Sequence, residues 1–524
     1  MLLGRLVSVT DPLGASSMHR YDNKGNLVET IDRNGTRVYT EYDGMSRAVR
    51  TSNSADSGEI IYQYDILGRI ISAESNGKRT EYGYNAYGEL ERETSGEISL
   101  VRRYNGDGKE SSFTMLYGGI AEQKLEYCYN EQGLLSGVST PAGTQKYEYD
   151  KAGRLVTGEN FATGINTAYT YYPSGAVKSI VLTGSDGEML DGLWYEYDKS
   201  GNKLVQFEND VETLYGYDSQ NRLKREQKGD VHTEYYYDAY NNISEIQKII
   251  GNGISGINTR YYYDACNRLL LTDENGYETL YGYDANGRMT SVTAGSQEKY
   301  YGYDGFGRMT LAAVGDSITN YEYGHAGLRT AKIVNGKRTE LINNGSSVIA
   351  ELSEGEITNY YRGLTLIGFE NNDEYYYYKL NAHGDTIGIL DSFGQQVKEY
   401  SYDAFGNEQN LDIFDTNPFR YCGEYYDNET GLIYLRARYY DSNTQRFISE
   451  DPIRDGFNWY AYCGNNPPNL IDLSGTSDER IGQGIWSLKS DAAGRAILFH
   501  WLYGNGQNMV LDFRSWGARI YDGS

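Results

Sequence analysis

The chain has 524 residues and a formal net charge of -25; it is 39% hydrophobic, and it holds 54 tyrosines and 62 glycines against 7 prolines. That acidity disfavours a nucleic-acid-binding face, which needs clustered Lys and Arg, and the sparse Leu, Ile and Val exclude one large aliphatic core. High glycine with low proline argues against disorder and for many tight turns, while tyrosine suits an architecture whose apolar area is spread thinly over strands.

The N-terminus, Met1-Leu2-Leu3-Gly4-Arg5, has no apolar stretch of signal-peptide length. The chain opens inside repeat-like sequence, which reads as a missing upstream part. No apolar run reaches the roughly 18 residues of a membrane-spanning helix. A tandem repeat follows. Fifteen tyrosines mark it, from Tyr21 and Tyr42 through Tyr172 and Tyr197 to Tyr303 and Tyr323, and eight of their fourteen intervals are 20 residues, the others 21 to 26. The clearest copies read Y-x-Y-D-x-x-G-R-[LM], as in Tyr301-Gly302-Tyr303-Asp304-Gly305-Phe306-Gly307-Arg308-Met309. Tyrosines two apart share one face of a strand. Asp can accept bonds from nearby backbone N–H groups and Gly supplies positive φ, so D-x-x-G is a turn. Where Gly is lost, Asn stands in its place at 221, 241 and 267, the residue that next best tolerates the left-handed region. One repeat therefore predicts one β-hairpin, and successive hairpins predict an all-β sheet that twists and curls, with stability summed over neighbours.

The array spans 1–334. Over 335–400 the period blurs, although Glu374 to Leu380 and Thr386 to Leu390 still read as strands, with turns at His383-Gly384-Asp385 and Ser392-Phe393-Gly394. A last unit, Tyr402 to Asn407, closes the array. The four cysteines, Cys128, Cys266, Cys422 and Cys463, form no C-x-x-C pair, so zinc and redox readings lack support and no cofactor or metal set is read from the sequence.

Residues 401–475 carry a different and denser signature: Asn417-Pro418-Phe419-Arg420-Tyr421, then Gly423-Glu424-Tyr425-Tyr426-Asp427, then Gly431 to Asp441 (GLIYLRARYYD), Arg446 to Pro452 (RFISEDP), Asn465-Asn466-Pro467 and Asn469 to Gly475 (NLIDLSG). With the repeats, this segment resembles the YD-repeat/Rhs proteins and their Rhs-associated core, the shells of bacterial polymorphic toxins and insecticidal toxin complexes. The resemblance implies a spiral, hollow β-shell plugged at one end by the core. It implies secretion or cell-surface display, an effector segment held as cargo, a capping or secretion-system partner and an immunity protein. It also implies self-cleavage by an aspartic-protease-like pair with an arginine. Matched by motif, these are Arg438, Asp451 and Asp472, with the cut between Gly475 and Thr476. Two close carboxylates cannot both ionise, so one can stay protonated as acid while the other activates water, and an arginine beside them can orient a carboxylate or polarise the scissile carbonyl. Leu473 stands where the pattern has proline.

Residues 476–524 lose the tyrosine periodicity. Ser487 to Leu502 predicts a short helix, His500 is the lone histidine there, and no nuclease, deaminase or glycosidase constellation is visible. This segment reads as a truncated or degenerate effector. The alternatives to a toxin shell are a surface adhesin or carbohydrate-binding repeat protein, since aromatic cell-wall repeats also run near 20 residues, or a non-functional gene fragment.

Overall fold

The computed structural model describes residues 4–251, 255–409, 411–454 and 456–480. The helix expected over Ser487 to Leu502, and most of the 476–524 segment, lie outside the described residues.

The fold is all-β, as the repeat predicts. From Ser8–Thr10 to Gln396–Glu399, 38 strands pair antiparallel, each with the next in sequence. Among the described residues no pairing joins the first strand to the last, so the sheet is an open ribbon. The ribbon runs through 335–400 without interruption, including strands Glu374–Leu380 and Thr386–Leu390.

Each repeat residue has a task at the hairpin tip. Asp304 Oδ1 accepts the N–H groups of Phe306 at 3.0 Å and Arg308 at 2.8 Å, and Gly307 turns back at φ +86°. The Asn substitutes behave as expected, with φ of 62° at Asn221, 66° at Asn241 and 61° at Asn267. Arg308 closes the tip on Asp304 Oδ2 at 2.7 Å and lays its guanidinium 5.1 Å from the ring centroid of Tyr323 in the next repeat. The Tyr323 hydroxyl then donates to Met309 O, at 2.7 Å, at the start of the preceding return strand. The same staple recurs with Arg288 and Tyr303 and with Arg222 and Tyr237. One position shifts: Tyr171, not Tyr172, bonds Leu155 O, and Tyr172 occupies the aspartate place, its N–H bonding Ala176 O across the turn. A double tyrosine made the anchor ambiguous in sequence.

Most hairpins also carry a register shift beside the tyrosine. Gly302 faces Leu311 whereas Tyr303 faces Met309, and the same slip recurs at Tyr42, Tyr217 and Tyr263. A bulge bends its strand and increases twist; repeated once per hairpin, it coils the ribbon. The pitch is read from contacts between coils. Asn34 donates to Asp284 at 3.0 Å, Gly305 N–H to Asp56 at 2.9 Å, and Tyr82 OH meets His325 Nε2 at 2.8 Å, separations of 250, 249 and 243 residues. Further along, Asn381 reaches Glu208 at 3.0 Å and Lys228 reaches Tyr402 O at 2.7 Å, separations of 173 and 174. The coil narrows toward its C-terminal end.

Apolar packing follows this geometry. Strands from Leu100 to Tyr195 bury Phe113, Met115 and Leu193 against Ile349, Tyr361 and Ile387 of the next coil. The segment after Tyr402 turns inward, and Phe419, Tyr425, Leu432, Tyr440, Phe447 and Tyr462 fill the concave face formed by Met289 to Tyr378. Strands before Leu90 bury few side chains on either face, Ile60 and Ala73 among them.

Candidate self-cleavage site

The inward segment builds a small sheet, in which strand Arg438–Asp441 pairs with Leu432–Leu435 and with Arg446–Phe447. Next to it, Leu470–Ile471 pairs with Glu479–Arg480, Leu470 opposite Arg480 and Ile471 opposite Glu479. Residues 472–478 are thereby a closed loop, and Gly475–Thr476 lies within it.

Arg438 organises the loop. Its guanidinium is buried, stacked 3.5 Å from the centroid of Phe447. Nε donates to Gly475 O, Nη1 to Trp459 O at 2.8 Å, and Nη2 to Asp472 Oδ2 at 3.3 Å. Asp451 Oδ2 lies 3.9 Å from the same Nη2. Asp472 Oδ1 accepts the N–H groups of Ser474, Thr476 and Ser477 at 3.2, 3.1 and 3.2 Å. The carbonyl and the N–H of the Gly475–Thr476 peptide region are thus held by Arg438 and by Asp472 respectively. The structure brings all three motif-matched residues and both flanking residues together.

Two features fix the loop from outside. Ala437 N–H donates to Ser474 O at 3.2 Å and Arg436 Nη1 to Leu473 O at 2.7 Å. Gly475 sits at φ +73°, where a Cβ would lie 2.5 Å from Leu435 O and 2.9 Å from Arg438 N. Only glycine fits that approach.

The site is electrostatically crowded. Burial lifts the Asp451 carboxyl above the usual carboxylate range, while Arg438 opposes the shift. Burial also holds Arg438 below its ordinary value, against the pull of Asp472 and Asp451. Asp478, on the downstream side of the loop, keeps an exposed surface, yet partial desolvation of its carboxyl among the surrounding atoms and then the Asp472 charge push it up to about 7. Sequence reasoning passed over Asp478 and Arg436. Arg436 stands two residues before Arg438 in the LRARYY run, a signal that was available; Asp478 follows the end of the recognised motif and had none.

The comparisons with known proteins agree with this architecture. The Teneurin YD-shell family matches residues 192–468 and the RHS Repeat family matches 2–37 and 129–165. The chain is 40% identical over 164 residues to the tRNA3(Ser)-specific nuclease WapA of Bacillus spizizenii, a match covering 28% of this chain and 7% of that protein. It is 25% identical over 218 residues to the double-stranded DNA deaminase toxin A of Burkholderia cenocepacia, covering 40% of this chain and 14% of the relative. The crystal structure of TcdB2-TccC3-Cdc42 superposes with a TM-score of 0.69 at 17% identity, over 90% of this chain and 28% of that one, and so shares the fold. The chain therefore spans a small part of the length of these proteins. The repeat grammar, the coiled ribbon, the inward core and a family match over more than half of the sequence lead to one conclusion: this chain belongs to the YD-repeat/Rhs shell family.

Proposed function

We propose that the chain is the encapsulating shell of a secreted polymorphic toxin, and that it cuts itself between Gly475 and Thr476. One observation carries the second half: Arg438 and Asp472 engage the carbonyl oxygen and the amide N–H on the two sides of that peptide bond. The chemistry follows from the donor set. Arg438 polarises the Gly475 carbonyl and holds the oxyanion that develops on it. A carboxylate of the Asp451–Asp472 pair takes a proton from water as the water oxygen bonds to the Gly475 carbon. The carboxyl of the pair that remains protonated gives its proton to the Thr476 nitrogen, the C–N bond breaks, and a Gly475 carboxylate and a Thr476 amine result.

Downstream residues are the cargo in this reading. Relatives of this chain are named as a tRNA nuclease and a double-stranded DNA deaminase toxin, which supports an enzymatic effector as the cargo. Export, a capping or secretion-system partner and an immunity protein belong to the same proposal. Among the described residues no helix is long and apolar enough to cross a membrane.

The test is to purify the full chain as wild type, Asp472→Asn and Arg438→Met, and to determine the N-terminal residue of any downstream fragment. The expected result is a fragment beginning at Thr476 from wild type and an intact chain from both variants. A wild-type chain that stays whole, or a cut unchanged in Asp472→Asn, removes the protease reading and leaves the shell.

A further inference from the structure

We propose that His383, Asp385 and Cys422 form a binding site for a divalent, borderline-soft cation, Zn(II) by preference, which ties the last turns of the ribbon to the core. The three side chains offer a nitrogen, an oxygen and a sulfur within 4.8 Å of one another. His383 Nδ1 lies 2.7 Å from Asp385 Oδ1 and 3.6 Å from Cys422 Sγ. On a tetrahedral zinc with ordinary bond lengths, a nitrogen and a sulfur ligand lie about 3.6 Å apart, and a nitrogen and an oxygen about 3.3 Å apart. The nitrogen–sulfur distance already matches, and the carboxylate has to move away from the ring nitrogen by about half an ångström to join the same metal.

The other ring nitrogen supplies independent support. His383 Nε2 lies 2.9 Å from Pro467 O, a group that can only accept, so Nε2 carries hydrogen. A ligating histidine is oriented in this manner, its second nitrogen donating to a backbone carbonyl while the first faces the metal. Asp385 is likewise held, through Asn381 Nδ2 at 2.8 Å and the Cys422 N–H at 2.8 Å. The Tyr462 hydroxyl lies 3.5 Å from Cys422 Sγ.

The donor set suits the ion's charge: a neutral imidazole, a carboxylate and a thiolate together offset the two positive charges of Zn(II), so the occupied site has no net charge of its own. The ligands come from the turn before strand Thr386–Leu390 and from the short helix Tyr421–Gly423, and the orienting carbonyl from a third segment.

The experiment uses the full chain, stripped with a chelator and titrated with Co(II) and then Zn(II). The expected result is one metal per chain and a near-ultraviolet thiolate-to-cobalt band displaced by zinc. Cys422→Ser should abolish the band and weaken Zn(II) binding at least tenfold, whereas Cys128→Ser should leave both unchanged. Near-UV circular dichroism checks that the variants fold, and Asp385→Asn, expected to weaken binding while keeping the band, serves as a second variant. Wild-type binding below one equivalent, or a band that survives Cys422→Ser, overturns the proposal.

Discussion

Replacing the aspartate of one hairpin tip tests how the repeat holds itself together. In the Asp304 unit the side chain performs two separable tasks: Oδ1 accepts two backbone N–H groups and Oδ2 pairs with Arg308. The chain contains its own control. Asn85, Asn105 and Asn130 fill the aspartate place in three units, with Oδ1 accepting the same two N–H groups at 2.9–3.1 Å. Those units carry Glu89, Lys109 and Leu134, whereas the aspartate units carry arginine, as at 47, 69, 154, 222, 268, 288 and 308, or asparagine, at 26, 202 and 242. Asparagine therefore suffices for the turn, and aspartate is present where its second oxygen holds a side chain four residues on, an arginine as at Arg308 or an asparagine as at Asn26, Asn202 and Asn242. Asp304→Ala loses two bonds to a charged acceptor, about 1.5 kcal/mol each, and the ion pair, about 1 kcal/mol, or about 3–4 kcal/mol in all. Asp304→Asn keeps the Oδ1 bonds and costs about 1 kcal/mol. Hydrogen exchange of the flanking strands, Gln297–Tyr303 and Met309–Val314, reads the difference locally. Exchange should accelerate by a factor of about 100 or more in Asp304→Ala and by less than about tenfold in Asp304→Asn, since 1.4 kcal/mol is a factor of ten. Equal acceleration in the two variants would falsify the division of labour between the oxygens.

Three further outcomes follow from the core. Arg329 and Asp427, both fully buried and 2.5 Å apart, sit among the rings of Tyr321, Tyr425 and Tyr434; Arg329→Ala leaves the buried carboxylate with Lys332 Nζ at 3.7 Å as its cation and should cost about 3 kcal/mol, and Arg329→Met with Asp427→Leu clearly less, measured by denaturant unfolding in a double-mutant cycle. Gly475→Ala pushes a Cβ against Leu435 O at a positive φ, so the time course of self-cleavage should slow by about tenfold or more, about 1.4 kcal/mol in the barrier. Asp478 binds its proton more tightly folded, at about 7, than at its ordinary 3.8. Its contribution to the stability of the 472–478 loop is therefore fully present below about pH 4 and lost as pH rises through about 7; Asp478→Asn should flatten that part of the dependence in hydrogen exchange measured from pH 5 to 8, and an unchanged slope contradicts the assignment.

Much of this was legible in the sequence because the repeat is local. Asp, Gly and Asn announced the turns through backbone requirements that hold in any context, and tyrosines two apart announced the buried face. The strands Glu374–Leu380 and Thr386–Leu390 were readable from their residues even where the period failed. The arginine of Y-D-x-x-G-R was visible as a recurrent letter, but its role was not, since stacking on the tyrosine of the following unit is a contact between neighbours in space. Coil-to-coil contacts such as Asn34 with Asp284 carry no sequence period, and the cluster of His383, Asp385 and Cys422 joins positions 39 residues apart that no ligand spacing connects. Arg438, Asp451 and Asp472 were located by family resemblance and not by their spacing.

The coiling of the ribbon is what every functional statement rests on, and a cysteine pair across the first seam tests it. Asn34 Oδ1 accepts the Ala285 N–H at 2.9 Å although the residues are 251 apart. In a Cys128→Ser background, Asn34→Cys with Ala285→Cys should oxidise to an intramolecular disulfide in nearly every molecule, with the far-UV spectrum unchanged. A ribbon that runs on without returning to itself would leave both thiols free or link separate molecules, and either result contradicts the coiled shell.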